Sequence, residues 1–406
     1  MEIIGTFAYT LTAWLAGSLA ALLAIPSCCL LLLTLAAGKR RAPLHDAVAD
    51  ADVGTVHVAI LVPAHNESVH VLPTLRCLQS QLQPGDRLLV IADNCQDDTA
   101  ALARAAGAEV LERQHASQRG KGYALAFGVD ALRDAPPDVL VVVDADCRVS
   151  RGGIQALAQR CMQTRNPVQM LDLMVAPQGA GLRTRMLEFA WLVKNQVRPL
   201  GSYRLGRACH LMGTGMALPW ELAASARLST GHIAEDMKLG VDLAIAGRPT
   251  QFLAQAQITS EFPLDAAVAR TQKTRWEHGH LQTLREELPR LLAAFAQRPR
   301  AATLVLAMDL VIPPLALYFL CVVLSLPLWA LGSYFNAAFL PALGIAMVAA
   351  AALLMSIALA WYQHARHLLS LRELLTVPLY AAWKLPVYVA YFLKRKSGWT
   401  KTERQV

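Results

Sequence analysis

The sequence predicts a membrane-attached α/β protein with a mostly parallel sheet, helices on both faces of that sheet, and apolar helices at both chain ends. Residues 3–38 and 310–363 contain no Asp, Glu, Lys or Arg. The remaining positions are roughly 22% charged, close to the value for soluble proteins. Between these stretches, short apolar runs alternate with segments of helical periodicity, a pattern typical of parallel strands joined by helices. This organisation excludes a wholly soluble enzyme, a disordered chain and a many-helix transporter.

Residues 1–38 are predicted to form one transmembrane helix. The apolar run 7–37 exceeds the ~20 residues that cross a bilayer, and Pro26 is expected to kink it. A cleaved signal peptide is the alternative, but the first residues are not basic and the apolar run is longer than a signal core. The linker 39–54 opens with three basic residues, which places the end of this helix in the cytoplasm by the positive-inside rule.

Two further spans are predicted in residues 296–362, near 303–331 and 338–362. The stretch without charged residues is long enough to cross a bilayer twice. Residues 332–336, with the sequence Gly-Ser-Tyr-Phe-Asn, supply turn chemistry between the two spans. Both ends of the pair are therefore expected on the cytoplasmic side.

The C-terminal region 363–406 is predicted to stay at the cytoplasmic surface as an amphipathic segment. Its apolar part, 374–393, has Lys384 at the centre, and a charge in mid-bilayer is costly, so a helix in the interface is favoured over a fourth span. Much of the net charge of +8 lies beside the apolar stretches, which indicates membrane lipid rather than nucleic acid as a partner. The expected location is the inner (cytoplasmic) membrane, multi-pass, with the middle domain in the cytoplasm.

The middle region, 55–295, is predicted to be one α/β domain. Buried strands are expected at 56–62, 87–92 and 139–143, and helices at 67–80, 97–106, 121–134 and 151–163. Ligands of parallel sheets bind at the carboxyl ends of the strands. Residues that follow the strands are therefore the first candidates for a functional site.

Acidic and amide side chains follow all three predicted strands. Asp144 and Asp146 come directly after the third strand and can share a divalent cation, Mg²⁺ or Mn²⁺, although solvated loop acids are the alternative. Asp93 follows the second strand, and the first strand runs into residues 63–67. No Walker A or GxGxxG sequence is complete, which argues against a P-loop NTPase or a Rossmann dehydrogenase.

Three later groups carry polar chemistry, and each has an ordinary structural alternative. Lys121 opens a helix between two glycines, where it counters phosphate charge or is simply solvated. Glu235 and Asp236 begin a helical pattern, where a carboxylate is also a common cap. Gln272, Arg275 and Trp276 stand at positions i, i+3 and i+4, so they share one face of a helix. This face suits a diphosphate and a stacked sugar, and an ordinary Arg–Trp contact at the surface is the alternative.

The order of these motifs is more specific than any one of them. The series is Pro63-Ala64-His65-Asn66-Glu67, Asp93, Gly120-Lys121-Gly122, Asp144-Ala145-Asp146, Glu235-Asp236 and Gln272-Lys273-Thr274-Arg275-Trp276. It resembles the family 2 glycosyltransferases, most closely the membrane-bound branch with cellulose, chitin and hyaluronan synthases and the nodulation N-acetylglucosaminyltransferase. The resemblance implies a GT-A fold, a nucleotide-sugar donor that is usually a UDP-sugar, Mg²⁺ or Mn²⁺, and inversion at the anomeric carbon.

The resemblance also implies roles for individual residues. The donor would be bound by Pro63, Glu67, Asp93, Lys121, Asp144, Gln272, Arg275 and Trp276, with Asp93 at the uracil and Glu67 near the ribose. The metal would be held by Asp144 and Asp146, and Asp236 would be the general base. The acceptor site would include Gly213, Thr214, Glu235 and Trp276.

Two departures from the family pattern affect the expected activity. Ala234 stands where the family often has Thr, which removes a hydroxyl but leaves the base in place. Three spans are too few to enclose a polysaccharide channel, so one addition to a lipid-linked or glycan acceptor, in exopolysaccharide or glycolipid biosynthesis, is favoured over a processive synthase. Other polysaccharide-assembly proteins are candidate partners.

Two other classes of function compete with this interpretation. A catalytically silent nucleotide-sugar-binding subunit of an export complex should have lost its acids, whereas this chain keeps Asp144, Asp146 and Asp236. A nucleotidyltransferase could use the same metal-binding edge, but it would leave the helix of Gln272 and Trp276 unexplained. A metal-dependent glycosyltransferase is therefore the predicted enzyme.

Overall fold

The computed structural model describes residues 2–38, 55–229, 234–263 and 266–383. These residues form two compact units: one contains 2–38, 179–205 and 307–383, and the other contains the rest of the described chain. The predicted linker 39–54 and the residues beyond 383, including Lys384, lie outside the described residues.

The larger unit is built on one eight-stranded sheet. Its strands are β1 (Val58–Ala64), β2 (Arg87–Asp93), β3 (Glu109–Arg113), β4 (Val139–Val142), β5 (Arg148–Val149), β6 (Val168–Val175), β7 (Met216–Pro219) and β8 (Gln251–Glu261). Their order is β3-β2-β1-β4-β7-β6-β8-β5. Neighbours from β3 to β4 are parallel, as are β6 and β8, whereas β7 is antiparallel to β4 and β6, and β5 to β8. The predicted α/β class with a mostly parallel sheet is confirmed.

The helices are α1 (Glu2–Ala37), α2 (Val71–Gln79), α3 (Thr99–Ala105), α4 (Lys121–Ala131), α5 (Gly153–Thr164), α6 (Leu182–Leu192), α7 (Arg198–Gly206), α8 (Trp220–Ser225), α9 (Glu235–Ile245), α10 (Ala266–Gln297), α11 (Ala301–Leu310), α12 (Leu315–Phe335), α13 (Leu340–Ala360), α14 (Leu371–Leu374) and α15 (Val377–Trp383). Helices α2 to α5 match the four predicted helices. The helix predicted from residue 67 begins only at Val71, because the chain after β1 first makes a turn in which the Glu67 carbonyl accepts from His70 N–H and Val71 N–H.

Successive residues of β1 face opposite layers of the core, as the period of two in a strand requires. Val58, Ile60 and Val62 belong to a buried cluster that includes residues of α2 and α5. Ala59 and Leu61 belong to a second cluster, with residues of α4. Helices therefore cover both faces of the sheet, which leaves the strand ends as the place for polar side chains.

The smaller unit contains the apolar helices. Within the part of the chain that the structure describes, three helical segments are long and apolar enough to cross a membrane: Tyr9–Ala37, Leu315–Phe335 and Ala337–Ala365. The second begins later than the predicted 303–331, because α11 ends at Leu310 and the chain then passes through Pro313 and Pro314. Proline lacks the N–H that a continuing helix needs, and its ring clashes with the preceding turn.

Residues 179–205 group with the apolar helices, although the predicted domain 55–295 includes them. They form α6, a π-helical turn at Val193–Val197, and α7. Arg198 of α7 donates to Asp309, with 2.7 Å from Nε to Oδ1 and 2.6 Å from Nη2 to the backbone oxygen, and both side chains are buried. The pair satisfies two charges that would be costly to bury singly.

Candidate active site

The carboxyl ends of three parallel strands meet at one edge of the sheet. Ala64 of β1 pairs with Ala92 of β2, and Leu61 of β1 pairs with Val142 of β4. The last residue of β2 and the second residue after β4 therefore reach this edge together: Asp93 and Asp144. Pro63 lies inside β1 at the same end, paired with Ile91.

Asp93 is a buried carboxylate that three neighbours hold in place. Arg113 Nη1 donates to Oδ1 at 2.7 Å, and both side chains are only 9% exposed. Asn94 Nδ2 donates to the same oxygen at 3.0 Å, and His65 Nδ1 lies 2.7 Å from the Asp93 backbone oxygen. In the described part of the chain, Oδ2 has no hydrogen bond. One oxygen of Asp93 is thus fixed and the other can accept from a ligand.

A tight turn follows β1 beside Asp93. Asn66 adopts a left-handed backbone with φ of 55°, which asparagine tolerates better than most residues, and its Oδ1 accepts Gln96 N–H at 2.8 Å. Glu67 N–H donates to Thr99 Oγ1 at 2.8 Å. Burial raises the pKa of Asp97, but hydrogen bonds, first from Thr99, outweigh it and lower that pKa. An ionised Asp97 therefore braces the loop that carries Glu67.

Lys121 joins the end of β4 to the glycine loop before β7. Its Nζ donates to Asp144 Oδ1 and, at 3.0 Å, to the Gly213 oxygen. The Asp144 N–H donates to Thr214 Oγ1 at 3.0 Å. Burial lowers the pKa of Lys121, but the surrounding carboxylates, Asp144 first and then Glu235, raise it above its ordinary value. The lysine is therefore a fixed positive charge at this edge.

Glu235 and Asp236 occupy the first two positions of α9, where the helix dipole favours negative charge. A Cβ built on Gly213 would lie 3.3 Å from Asp236 Oδ2 and 3.5 Å from Lys121 Nζ. The glycine therefore keeps the space beside the Asp236 carboxylate open. Burial, and secondly the charge of Asp236, raises the pKa of Glu235 to about 7.

Asp144 and Asp146 fit a divalent cation as a partial ligand set. Two carboxylates completed by substrate phosphate and water are typical of Mg²⁺ and Mn²⁺ sites. Cys147 Sγ lies 3.4 Å from Asp146 Oδ1, but burial raises the pKa of this thiol well above its usual value, so a neutral thiol stands beside the pair. Within the described ranges, no group of three or more His, Cys, Asp or Glu could hold a metal ion without a substrate.

The three predicted donor-binding residues of the last motif lie on α10, in the same unit as the sheet. Gln272 is buried, whereas Arg275 and Trp276 are half-buried. Helix α10 packs against α9, which begins with Glu235 and Asp236. The structure therefore puts the two late motifs on neighbouring helices.

Nine of the thirteen predicted residues fall into two groups, and Asp146 and the three residues on α10 stand outside both of them. Hydrogen bonds, a close approach and charge interactions join Lys121, Asp144, Gly213, Thr214, Glu235 and Asp236 into one cluster. Pro63, Glu67 and Asp93 belong to the adjoining ends of β1 and β2, with the partners described above.

Two residues of the site were missed by sequence reasoning. Arg113 ends β3, a strand with too few apolar residues to be recognised, and its contact with Asp93 comes from strand pairing. Gln169 of β6 is fully buried; it accepts Met212 N–H at 2.9 Å and donates to the Thr214 oxygen at 2.8 Å. It thereby fixes the glycine loop from behind. A glutamine within an apolar run is the one signal the sequence offered.

Comparison with known proteins shows the family by sequence. The family described as "Glycosyltransferase like family 2" matches residues 56–279, more than half of the chain. "Probable glycosyltransferase YdaM" of Bacillus subtilis (strain 168) is 24% identical over 233 residues, which is 55% of each chain, so this chain spans about half the length of that curated relative.

A solved structure extends the similarity to most of the chain. The mannosyltransferase PcManGT from Pyrobaculum calidifontis, in complex with GDP-Man and Mn²⁺, aligns with a TM-score of 0.51 and 18% identity, over 84% of this chain and 98% of that one. This similarity confirms the GT-A fold that the motif series implied. Because the family model matches more than half of the chain, the protein belongs to glycosyltransferase family 2.

Proposed function

We propose that the protein is a membrane-anchored, inverting glycosyltransferase that moves a sugar from a UDP-sugar to a lipid-linked or glycan acceptor. One observation carries the proposal. The acids of Asp144 and Asp236, which lie far apart in sequence, meet around the ammonium group of Lys121 at the carboxyl edge of the sheet. Lys121 and Asp144, which could bind a diphosphate and a metal ion, thus lie beside Asp236, a carboxylate that can serve as a base.

The hydrogen bonds of Asp93 support uridine as the nucleoside. The edge of uracil presents one N–H between two carbonyl oxygens, so it needs one acceptor with donors beside it. Asp93 has one oxygen open to a ligand, and the guanidinium of Arg113 and the amide of Asn94 are bound to the other. Guanine presents two adjacent N–H groups, which pair best with both oxygens of a carboxylate. The arrangement therefore favours a uracil over a guanine.

The diphosphate would be bound between Lys121 and the pair Asp144 and Asp146. A cation held by the two aspartates would neutralise the charge of the leaving diphosphate. Lys121, already charged, can donate to a phosphate oxygen while its stem stays in place. Gln272 and Arg275 on α10 would add an amide and a guanidinium to the same group.

Asp236 would accept the proton of the acceptor hydroxyl as that oxygen attacks the anomeric carbon. A single direct displacement of this kind inverts the configuration. General-base help is worth about 10²–10⁴-fold in rate. Glu235, with its pKa raised to about 7, would carry a proton for part of the time at neutral pH and donate to a sugar or acceptor oxygen. The open space at Gly213 would admit the acceptor beside Asp236.

The apolar helices support a multi-pass protein of the inner membrane with its active site in the cytoplasm, where nucleotide sugars are made. Exposed aromatic residues lie near the start of α1 and at the end of α12, as expected where helices leave the bilayer: Tyr9, Trp14, Tyr334 and Phe335. The three candidate spans among the described residues are too few for a channel, which supports one addition per acceptor rather than processive synthesis, and a role in exopolysaccharide or glycolipid assembly.

The exchange Asp236→Asn tests the proposal. We expect loss of at least ~10²-fold in kcat because the base is removed. UDP affinity, measured by titration calorimetry with Mn²⁺, should stay within about threefold, since the donor is bound by other residues. Asp130→Asn is the matched control, because Asp130 is an exposed aspartate of α4 that pairs with Arg133, a residue just beyond the end of that helix. Equal loss of turnover and UDP affinity in Asp236→Asn would contradict the assignment.

A further inference from the structure

Helices α9 and α10 are joined by a closed ring of four alternating charges. Lys238 and Asp242 on α9 are 3.2 Å apart, and Arg290 and Glu287 on α10 are in contact. Two bonds cross between the helices: Arg290 Nη2 donates to Asp242 Oδ1 at 2.6 Å, and Lys238 Nζ lies 3.5 Å from Glu287 Oε1. Each charge in the ring therefore has an opposite neighbour on its own helix and another on the facing helix.

The ring lies on the helix faces that also carry the site. On α9, Glu235 and Asp242 are seven residues apart, close to two full turns. On α10, Gln272 and Arg290 are 18 residues apart, which is five full turns at 3.6 residues per turn. On α9 the ring residue Asp242 therefore shares a face with Glu235. On α10 the ring residue Arg290 shares a face with Gln272.

Two features make the ring important for the packing of these helices. Glu287 is only 2% exposed, so its carboxylate depends on both cationic partners, Lys238 and Arg290. Pro289 lies inside α10, immediately before Arg290, and interrupts the backbone hydrogen bonds there. Side-chain bonds to α9 therefore hold α10 where its own backbone ladder is weakest.

We propose that Lys238, Asp242, Glu287 and Arg290 are positioning residues that fix the first turn of α9 against α10. The inference rests on the proposed function. The donor is bound through the strand ends and α10, whereas the base stands at the start of α9. Loosening the ring would move Asp236 relative to a donor that stays bound. The expected signature is a lower kcat with an unchanged KM for the UDP-sugar.

The test is a double-mutant cycle with Arg290→Met and Asp242→Asn in the full-length protein. Each single variant is expected to lower kcat by about 10- to 100-fold, the cost of an ångström-scale misplacement. The KM for the UDP-sugar should stay within about twofold. Because both substitutions break the same cross-helix bond, the double variant should be no slower than the worse single variant. The kcat is expressed per UDP-binding site, so partial unfolding does not imitate the effect.

Arg285→Met is the matched control. Arg285 is also on α10, but it is 83% exposed and lies near Glu286 of the same helix. This variant should keep the wild-type kcat. Hydrogen exchange of the peptide covering α9 gives a readout that needs no turnover: exchange should rise in Arg290→Met and stay unchanged in Arg285→Met.

Three outcomes are decisive. A normal kcat in Arg290→Met, with active wild-type protein, would overturn the positioning role and leave the proposed function intact. Independent, multiplying effects of the two substitutions would also overturn it. Absence of turnover in the wild type would overturn the proposed function, and the positioning role with it, whatever the exchange experiment shows.

Discussion

Gly213→Ala adds one methyl group at the most sensitive point of the proposed site. Gly213 has φ of +88°, a conformation that costs a residue with a side chain about 1–3 kcal/mol. The new Cβ would lie 3.3 Å from Asp236 Oδ2, so this carboxylate must move by a few tenths of an ångström, whereas its distance of 3.5 Å to Lys121 Nζ is an ordinary contact. We therefore expect kcat to fall by about 10²-fold, as displacements at a reacting centre do.

The assay measures UDP release and UDP affinity in the same preparation. Gly152→Ala is the matched control: Gly152 has φ of +70°, and its added Cβ would meet nothing within 4 Å. Both variants should lose comparable stability, whereas only Gly213→Ala should lose turnover. Equal kcat values per UDP-binding site in the two variants would refute the proposal that a side chain at position 213 displaces the base Asp236.

Three further predictions concern the proposed metal ligand Asp146, the half-buried Glu235 and the smaller unit. Asp146→Ala should abolish the part of UDP affinity that depends on Mn²⁺, and EDTA should then have no further effect; a variant that still responds to EDTA would contradict the ligand assignment. Since the folded-state pKa of Glu235 is raised to about 7, its contribution to stability is present at low pH and is lost as pH rises through 7. Glu235→Gln should therefore raise the melting temperature by ~2–4 °C more at pH 8 than at pH 5, and an equal change at both values would exclude the shift. Gly201→Ala would place a Cβ against the backbone oxygen of Leu33 and should destabilise the detergent-solubilised protein by ~1–3 kcal/mol, whereas Gly17→Ala, which meets nothing within 4 Å, should not.

The central part of the fold was predictable because its strands are continuous apolar runs. Strands β1, β2 and β4 are almost fully buried, so their sequences lack polar interruptions. Strands β3 and β5 and the strands after α5 were not predicted. Their residues include Glu109, Gln169 and Gln251, whose polar groups are satisfied by strand pairing and loop contacts that no local pattern encodes.

The break before α12 could have been predicted, since Pro313 and Pro314 cannot continue a helix. The grouping of residues 179–205 with the apolar helices could not have been predicted. That grouping depends on long-range contacts such as the one between Arg198 and Asp309. Composition gives no sign of them, because α6 and α7 contain several charged residues.

The candidate site was predicted as a set of residues but not as a geometry. Motif order selected Asp93, Asp144 and Asp236, and strand ends explain why the first two lie at the same edge of the sheet. The ammonium of Lys121 among the acids and the fixed oxygen of Asp93 follow from tertiary packing. Sequence spacing has no information about either contact.

Release of nucleotide by the purified full-length protein is the most direct test of the central claim. The protein is incubated with Mn²⁺ and, separately, with UDP-sugars and GDP-sugars, and the free nucleotide and transferred sugar are measured by mass spectrometry. We predict metal-dependent release of UDP with transfer of the sugar, at a kcat/KM at least about tenfold above that for any GDP-sugar, and none from Asp236→Asn. Tight binding of UDP without release from any donor would contradict catalysis and indicate a silent binding subunit instead.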